Sequence, residues 1–143
     1  NNMSVVQKVC PIVIRQQYDN KQILVFRHPL AGIQLVKGTV EKNEDTKEAA
    51  LRELVEESGI DKVLSIEFKA TWKVESKNQI WHFYFCEVEK DLPDKLSFFT
   101  NDDGGLNFEF FWFDLAEKPS DEWHSVYQNA LEFIKYILVQ NEK

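Results

Sequence analysis

Residues 35–60 read LVKGTVEKNEDTKEAALRELVEESGI, and the stretch holds six glutamates, Glu41, Glu44, Glu48, Glu53, Glu56 and Glu57, together with Asp45. Its outline is that of a helix. Asp45 stands where a side chain can cap the first turn, Glu48 lies three residues on in the capping-box position, and Gly59 stands where a left-handed C-terminal cap is wanted. The expected helix covers residues 45–58. At about 100° per residue, Leu51, Leu54, Val55 and Ser58 gather on one side as a core face, while Glu53, Glu56 and Glu57 gather almost opposite. Glu53 is spaced i,i+3 from Glu56 and i,i+4 from Glu57, so these carboxylates converge within one turn and repel one another. A divalent cation removes that repulsion, because carboxylate oxygens are the ligands that Mg²⁺ and Mn²⁺ prefer, and magnesium commonly bridges them to substrate phosphates. Ala49 and Ala50 are expected to flank the acid face and leave room there for a ligand.

Working outward, residues 5–14 and 22–26 are rich in apolar and β-branched side chains and are separated by a polar turn, which predicts a hairpin. A short strand is expected over residues 33–36. After the helix, Ile66, Phe68, Ala70, Trp72 and Val74 alternate with polar residues, as on an edge strand with one wet face. QIWHFYFCEVE is apolar in both alternating rows, as in a strand covered on both sides, and LNFEFFWF follows the turn at 101–105 as the last strand. Ser120 is the expected cap of a closing helix whose Trp123, Val126, Tyr127, Ala130, Leu131, Ile134, Ile137 and Leu138 recur at helical spacing. Strands and helices mixed in this order predict an α/β fold with a layered core.

The 143 residues, 43% hydrophobic and 29% charged, fit one domain over the whole chain. Asn1 and Asn2 precede Met3 and read as additions to the native sequence. There is no run of apolar residues long enough to span a membrane and no signal-peptide pattern, which points to a cytoplasmic protein without membrane partners. The net charge of −7 argues against extended nucleic-acid binding, although a metal ion can still bring in a small anionic ligand. Cys10 and Cys86 read as buried free thiols. His28, His82 and His124 are too scattered for a metal site, with His82 read as a satisfied core residue; Trp72, Trp81, Tyr84 and Trp112 read as core packing before base stacking.

Gly38, Glu44, then Arg52-Glu53-Leu54-Val55-Glu56-Glu57-Ser58-Gly59-Ile60 together match the pattern G-x5-E-x7-R-E-U-x-E-E-x-G-U, where U is a bulky apolar residue. The stretch resembles the complete Nudix box. That resemblance implies an α/β/α sandwich around a mixed sheet. It also implies metal ligation by Glu53, Glu56, Glu57 and the Gly38 carbonyl, with Mg²⁺ as the cofactor and Mn²⁺ as its substitute. Asn43 stands where the family often has glycine, and asparagine tolerates the left-handed conformation. Val36 stands where the family often has proline.

The activity the resemblance implies is attack of water on phosphorus in a diphosphate linked to another group. Arg52 is expected to orient the site by holding Glu56 or Glu44 in its planar fork, which makes Glu44, like Gly59, structural. The general base is expected at Glu53 or Glu57, with Glu109 as a downstream candidate that reads equally as a solvated strand residue. Lys37 is a candidate phosphate contact or a surface lysine; Arg27 and Lys73 are weaker candidates of the same kind. Markers of particular substrates are missing: Glu75 and the residues 76–78 occupy the places of a proline and a tyrosine seen in some family members. Nucleoside triphosphates, nucleotide sugars and dinucleoside polyphosphates all stay open as small-molecule substrates. The alternatives are a nucleotide-binding sensor, a pyrophosphohydrolase of RNA 5′ ends and an isoprenoid-diphosphate isomerase. The family also allows a homodimer.

Overall fold

The computed structural model describes residues 4–101 and 104–141, so Asn1, Asn2 and part of the turn at 101–105 lie outside the described residues. Val6–Gln17 (β1) and Asn20–His28 (β2) form the expected hairpin, with Ile14 opposite Ile23 and Gln17 opposite Asn20. Gly32–Gln34 (β3) pairs with the end of β2. Gly38–Thr39 (β4) pairs with β1, which sets Gly38 opposite Val9 and Thr39 opposite Lys8. Then follow Thr46–Ser58 (α1), Val63–Val74 (β5), Gln79–Val88 (β6), Lys95–Thr100 (β7), Leu106–Asp114 (β8) and Ser125–Asn141 (α2).

The sheet runs β5-β6-β1-β2-β8-β7, with β1 and β6 parallel and the other neighbours antiparallel, so it is mixed. Its central feature is β1. The second half of β1 pairs with β2, but its first half is met by β4 instead, which sets a half-buried Gly38 and an exposed Thr39 where the two pairings part.

Alternate residues of the central strands feed two cores. Cys10, Ile12, Ile23, Val25, Trp81, Phe83 and Phe113 pack with Tyr127, Ala130, Leu131 and Ile134 of α2. Val13, Leu24, Phe26, Cys86, Phe108 and Phe110 pack with Leu54 of α1. A helix therefore covers each face of the sheet, which is why β1 and β6 are apolar in both rows.

Three elements depart from the sequence expectation. The edge strand β5 has no single apolar face: irregularities at Val63/Ser65 and Phe68/Ala70 shift its register, so Ile66 packs on the α1 side and Trp72 on the α2 side. A β-bulge exchanges the rows of a strand in this way. The strand β7 has no clear signal in the sequence because it alternates weakly, with Leu96 and Phe98 only partly buried on the sheet edge. The closing helix starts at Ser125 and not at Ser120, because β3 takes the backbone before it: the Ile33 amide donates to the Glu122 carbonyl and Ile33 bridges Trp123. His124 Nδ1 accepts from the Val126 amide at the start of α2, while Ser120 Oγ caps the preceding turn. No helix among the described residues is long and apolar enough to cross a membrane.

Candidate functional site

The helix α1 has the caps its sequence predicts. Asp45 accepts from the Glu48 amide at 3.3 Å, and Gly59, at φ 76, donates its amide to the Val55 carbonyl. Asn43 is indeed left-handed, at φ 64. The rotation of the helix differs from the expectation. Ala49, Ala50, Leu54 and Ser58 are buried, Leu51 is half-buried and Val55 is 43% exposed. The alanines do not leave room for a ligand; they pack against Val9 and Tyr84, so that α1 lies close to the sheet. This turn also carries Glu53 inward to 7% exposure, leaves Glu57 half-buried and Glu56 exposed. An ionised carboxylate is rarely buried without partners.

Its partners are Arg52 and the backbone around Gly38. Arg52 Nη1 donates to Glu53 Oε1 at 2.8 Å and to Glu56 Oε2 at 3.1 Å. Nε and Nη2 hold both oxygens of Glu44, at 2.7 and 2.9 Å, and Nη2 also reaches the Thr39 carbonyl at 3.0 Å. A guanidinium has five N–H donors, and here every one is engaged. The Glu44 carboxylate also accepts from the Glu41 amide. With Arg52 first and that amide second, its pKa is held down at about 2. The same bonds to Glu44 raise the Arg52 pKa further above its ordinary value.

Gly38 is glycine because of the Glu53 carboxylate. A Cβ on Gly38 would lie 1.8 Å from Glu53 Cδ and 2.1 Å from its Oε2. No side chain fits between the turn and the acid. Glu57 Oε1 accepts from the Lys37 amide at 3.3 Å, so a second acid of α1 is aimed at the same turn.

The NUDIX domain family model matches residues 8–132, nearly all of the sheet, all of α1 and the first half of α2. The chain belongs to the Nudix family. No curated protein matches it in sequence. Among solved structures, the chain is similar to the NUDIX domain of Shewanella oneidensis NrtR complexed with ADP ribose, at 13% identity and a TM-score of 0.68 over 96% of this chain and 90% of that one. It is also similar to a NUDIX hydrolase from Nitrosomonas europaea, at 19% identity and 0.66 over 99% and 75%. A C. elegans Ap4A hydrolase matches at 17% identity and 0.64 over 93% and 98%. Identities this low speak for the fold, which these proteins share with the Nudix chain described here.

Nudix hydrolases generally use divalent metal ions. Glu53, Glu56 and Glu57 supply hard oxygen donors, and the space a Cβ would fill at Gly38 brings its backbone against the Glu53 carboxylate, so the donor set fits such an ion. In this conformation no three Asp, Glu, His or Cys side chains among the described residues are already gathered as a cage. Glu53 and Glu56 lean on Arg52, and Glu57 on the Lys37 amide.

The remaining candidates are distributed unevenly. The Lys37 side chain lies on the α2 side, its Nζ 4.6 Å from the Trp81 ring centroid and 5.1 Å from that of Tyr127. Burial lowers its pKa, with Lys8 and Lys77 adding to the fall against Cys10 and Glu57. Arg27 is held by Glu122 in a forked ion pair, and that bond raises the Arg27 pKa and lowers the Glu122 pKa. Lys73 sits opposite Ile80 on the edge strand, two strands out from β1 and 66% exposed. Glu109 faces Arg27 in register and accepts from Ser97 Oγ.

His82 is satisfied by Gln7 as expected, but it is half-buried and not a core residue; burial lowers its pKa. Trp81 and Tyr84 are core residues, Trp72 and Trp112 pack partly buried against the cores, and Tyr84 meets the Thr46 hydroxyl at the start of α1. Both cysteines are free and buried; burial pushes the Cys86 thiol up to about 12 and raises Cys10 as well.

Sequence reasoning passed over Lys8, whose Nζ donates to Thr39 Oγ1 at 2.7 Å beside Gly38. Its signal was a lone lysine among the apolar residues of β1. A cleft of about 940 Å³ opens at the other end of β1, between Arg15, Lys69, Phe85 and Trp112. Six residues separate Arg15 from Val9, or roughly 20 Å of strand, so this cleft is not the box site. Arg15 lies over the Trp112 ring there, and Trp112 Nε1 is buried without a partner among the described residues.

Proposed function

We propose that this Nudix chain is a divalent-metal-dependent hydrolase that cleaves the diphosphate linkage of a nucleoside diphosphate joined to another moiety. The observation that carries the reading is the arrangement of α1 against the Gly38 turn: a buried Glu53 against a glycine that admits no side chain, with Glu56 and Glu57 within the following turn. Glu53, Glu56, Glu57 and the Gly38 carbonyl would hold Mg²⁺, with Mn²⁺ as an alternative. Such an ion neutralises phosphate oxygens and lowers the pKa of bound water.

The protein's own groups divide the remaining tasks. Arg52 fixes the carboxylates of Glu53 and Glu56, and Glu44 in turn fixes Arg52. Glu57 or Glu53 takes the proton of the attacking water; Glu109 is the downstream candidate, and its bond to Ser97 makes it the weaker one. Lys37 stands next to Gly38 with its amide on Glu57, and in this reading its ammonium meets a substrate phosphate. Arg27 is occupied by Glu122 and Lys73 is remote, which leaves both with smaller parts. The ADP ribose bound in the S. oneidensis structure and the Ap4A hydrolase activity for which the C. elegans protein is named support a small nucleotide as substrate. In this reading residues 1–143 act as one cytoplasmic domain, alone or as a homodimer.

The test is phosphate release from nucleoside triphosphates, nucleotide sugars, ADP-ribose and dinucleoside polyphosphates with Mg²⁺ or Mn²⁺, using a coupled phosphatase and a Glu57→Gln control. Metal-dependent cleavage lost in the control supports the hydrolase. Tight binding without cleavage by either metal would replace it with a nucleotide sensor.

A further inference from the structure

The acids of α1 have a counterpart across the turn. Lys37 precedes Gly38 in the chain, Lys8 faces Thr39 across the β1–β4 pairing, and Lys77 closes the short 3-10 helix Glu75–Lys77 that joins β5 to β6. Lys8 and Lys37 lie on the α2 side, and Lys77 precedes β6 by two residues. Lys8 pairs in register with Trp81, whose ring carries the Lys37 ammonium, and Lys8 Nζ is bonded to the Thr39 hydroxyl. Lys8 and Lys77 are both close enough to Lys37 for their charges to act on it. Among the described residues, none of these lysines forms an ion pair, whereas Arg15, Arg27, Arg52, Lys69 and Lys73 all do.

In a chain with 24 acids and 17 lysines and arginines, neighbouring lysines outside any ion pair are unexpected, and the one carboxylate whose charge reaches Lys37 is that of Glu57 among the described residues. Like charges held together repel, and a half-buried ammonium loses hydration. Both costs fall when an anion arrives. The aromatic faces of Trp81 and Tyr127 hold the Lys37 ammonium by cation–π attraction and keep it from pairing elsewhere. Glu57 stands between the two charge regions: its carboxylate accepts the Lys37 amide, and its charge is felt by Cys10 and Tyr127 on the α2 side.

We infer that Lys8, Lys37 and Lys77 form an anion subsite for phosphates that lie beyond the diphosphate being cut. The substrate is then a nucleotide with a chain of more than two phosphates, favoured over a diphosphate that bridges two sugars. This inference rests on the hydrolase reading for which bond is cut, but the subsite itself is a statement about binding. Compact, rotatable ammonium groups suit phosphates whose spacing differs from one substrate to another.

Calorimetric titration of inorganic tripolyphosphate and of ADP-ribose into the full chain without metal separates the two statements. The variants are Lys37→Met and the double substitution Lys8→Met with Lys77→Met, and exposed Lys118→Met is the control for net charge. Hydrogen bonds to charged groups contribute enough that each subsite variant should bind tripolyphosphate about tenfold more weakly, with ADP-ribose changed by less than about twofold. With Mg²⁺ present, KM for a nucleoside tetraphosphate should rise while kcat stays near wild type. Equal losses for both ligands, a matching loss in Lys118→Met, or no tripolyphosphate binding by the wild type would overturn the subsite. Lysine-dependent tripolyphosphate binding with no cleavage of any nucleotide would overturn the hydrolase reading and leave the subsite standing.

Discussion

The two sides of the Gly38 turn treat charge in opposite ways. On the α1 side, Arg52 uses all its donors on Glu44, Glu53, Glu56 and the Thr39 carbonyl. On the α2 side, Lys8 has a hydroxyl partner and Lys37 aromatic ones, and neither they nor Lys77 form an ion pair among the described residues. A saturated arginine has nothing left to offer a ligand and is best read as the part that positions the acids. Lysines outside ion pairs have their charge in hand. The comparison assigns orientation to one side and phosphate contact to the other, and Glu57 belongs to both.

Glu57→Gln is expected to do most damage, since it removes a proposed ligand and base while Glu57 has no part in the packed core. The loss in kcat/KM should exceed the roughly 100-fold that outer partners of a metal site can cost, with thermal unfolding little changed. Gly38→Ala comes next. Its Cβ must displace Glu53, so activity should fall by about 10- to 100-fold while circular dichroism still reports the native fold. A fully active alanine variant would show that Glu53 can move freely, and the turn would lose its meaning.

Leu54→Ala and Val55→Ala test how α1 is turned. Leu54 is fully buried and should cost about 2 to 5 kcal/mol in urea unfolding. Val55 lies outward and should cost no more than about 0.5 kcal/mol. Equal costs would return the helix to the orientation expected from sequence. The smallest effect concerns Glu44, whose carboxyl has its pKa lowered from 4.5 to about 2 in the fold. A depressed acid stabilises the fold above its unfolded pKa, so the difference in melting temperature between wild type and Glu44→Gln should hold at neutral pH. It should shrink as the pH falls from about 4.5 toward 2. A difference that grows over this interval would mean that the Arg52 fork is not the cause.

Local signals carried far in this sequence. The caps at Asp45 and Gly59, the left-handed Asn43 and the doubly apolar rows of β6 each follow from one stretch of chain and its own chemistry. What sequence could not fix is set by contacts between distant stretches. The α1 orientation depends on whether Glu53 finds Gly38 and Arg52, since otherwise burying a carboxylate is too costly. The start of α2 depends on Ile33 claiming the backbone at Glu122. The bulge in β5 changes which core Trp72 joins, and an alternating pattern cannot show a skipped residue. Lys8 was hidden for the same reason, because its meaning depends on Thr39, a residue thirty-one positions away.

The central claim is that the acids of α1 hold a divalent ion beside Gly38. The most direct test is Mn²⁺ binding, followed by the loss of its free electron-spin-resonance signal, in wild type, Glu56→Gln, Glu57→Gln and Lys37→Met without nucleotide. Saturable binding weakened about tenfold or more by either glutamine substitution and left intact by Lys37→Met is the predicted result. Mn²⁺ affinity that is the same in all four proteins would contradict it.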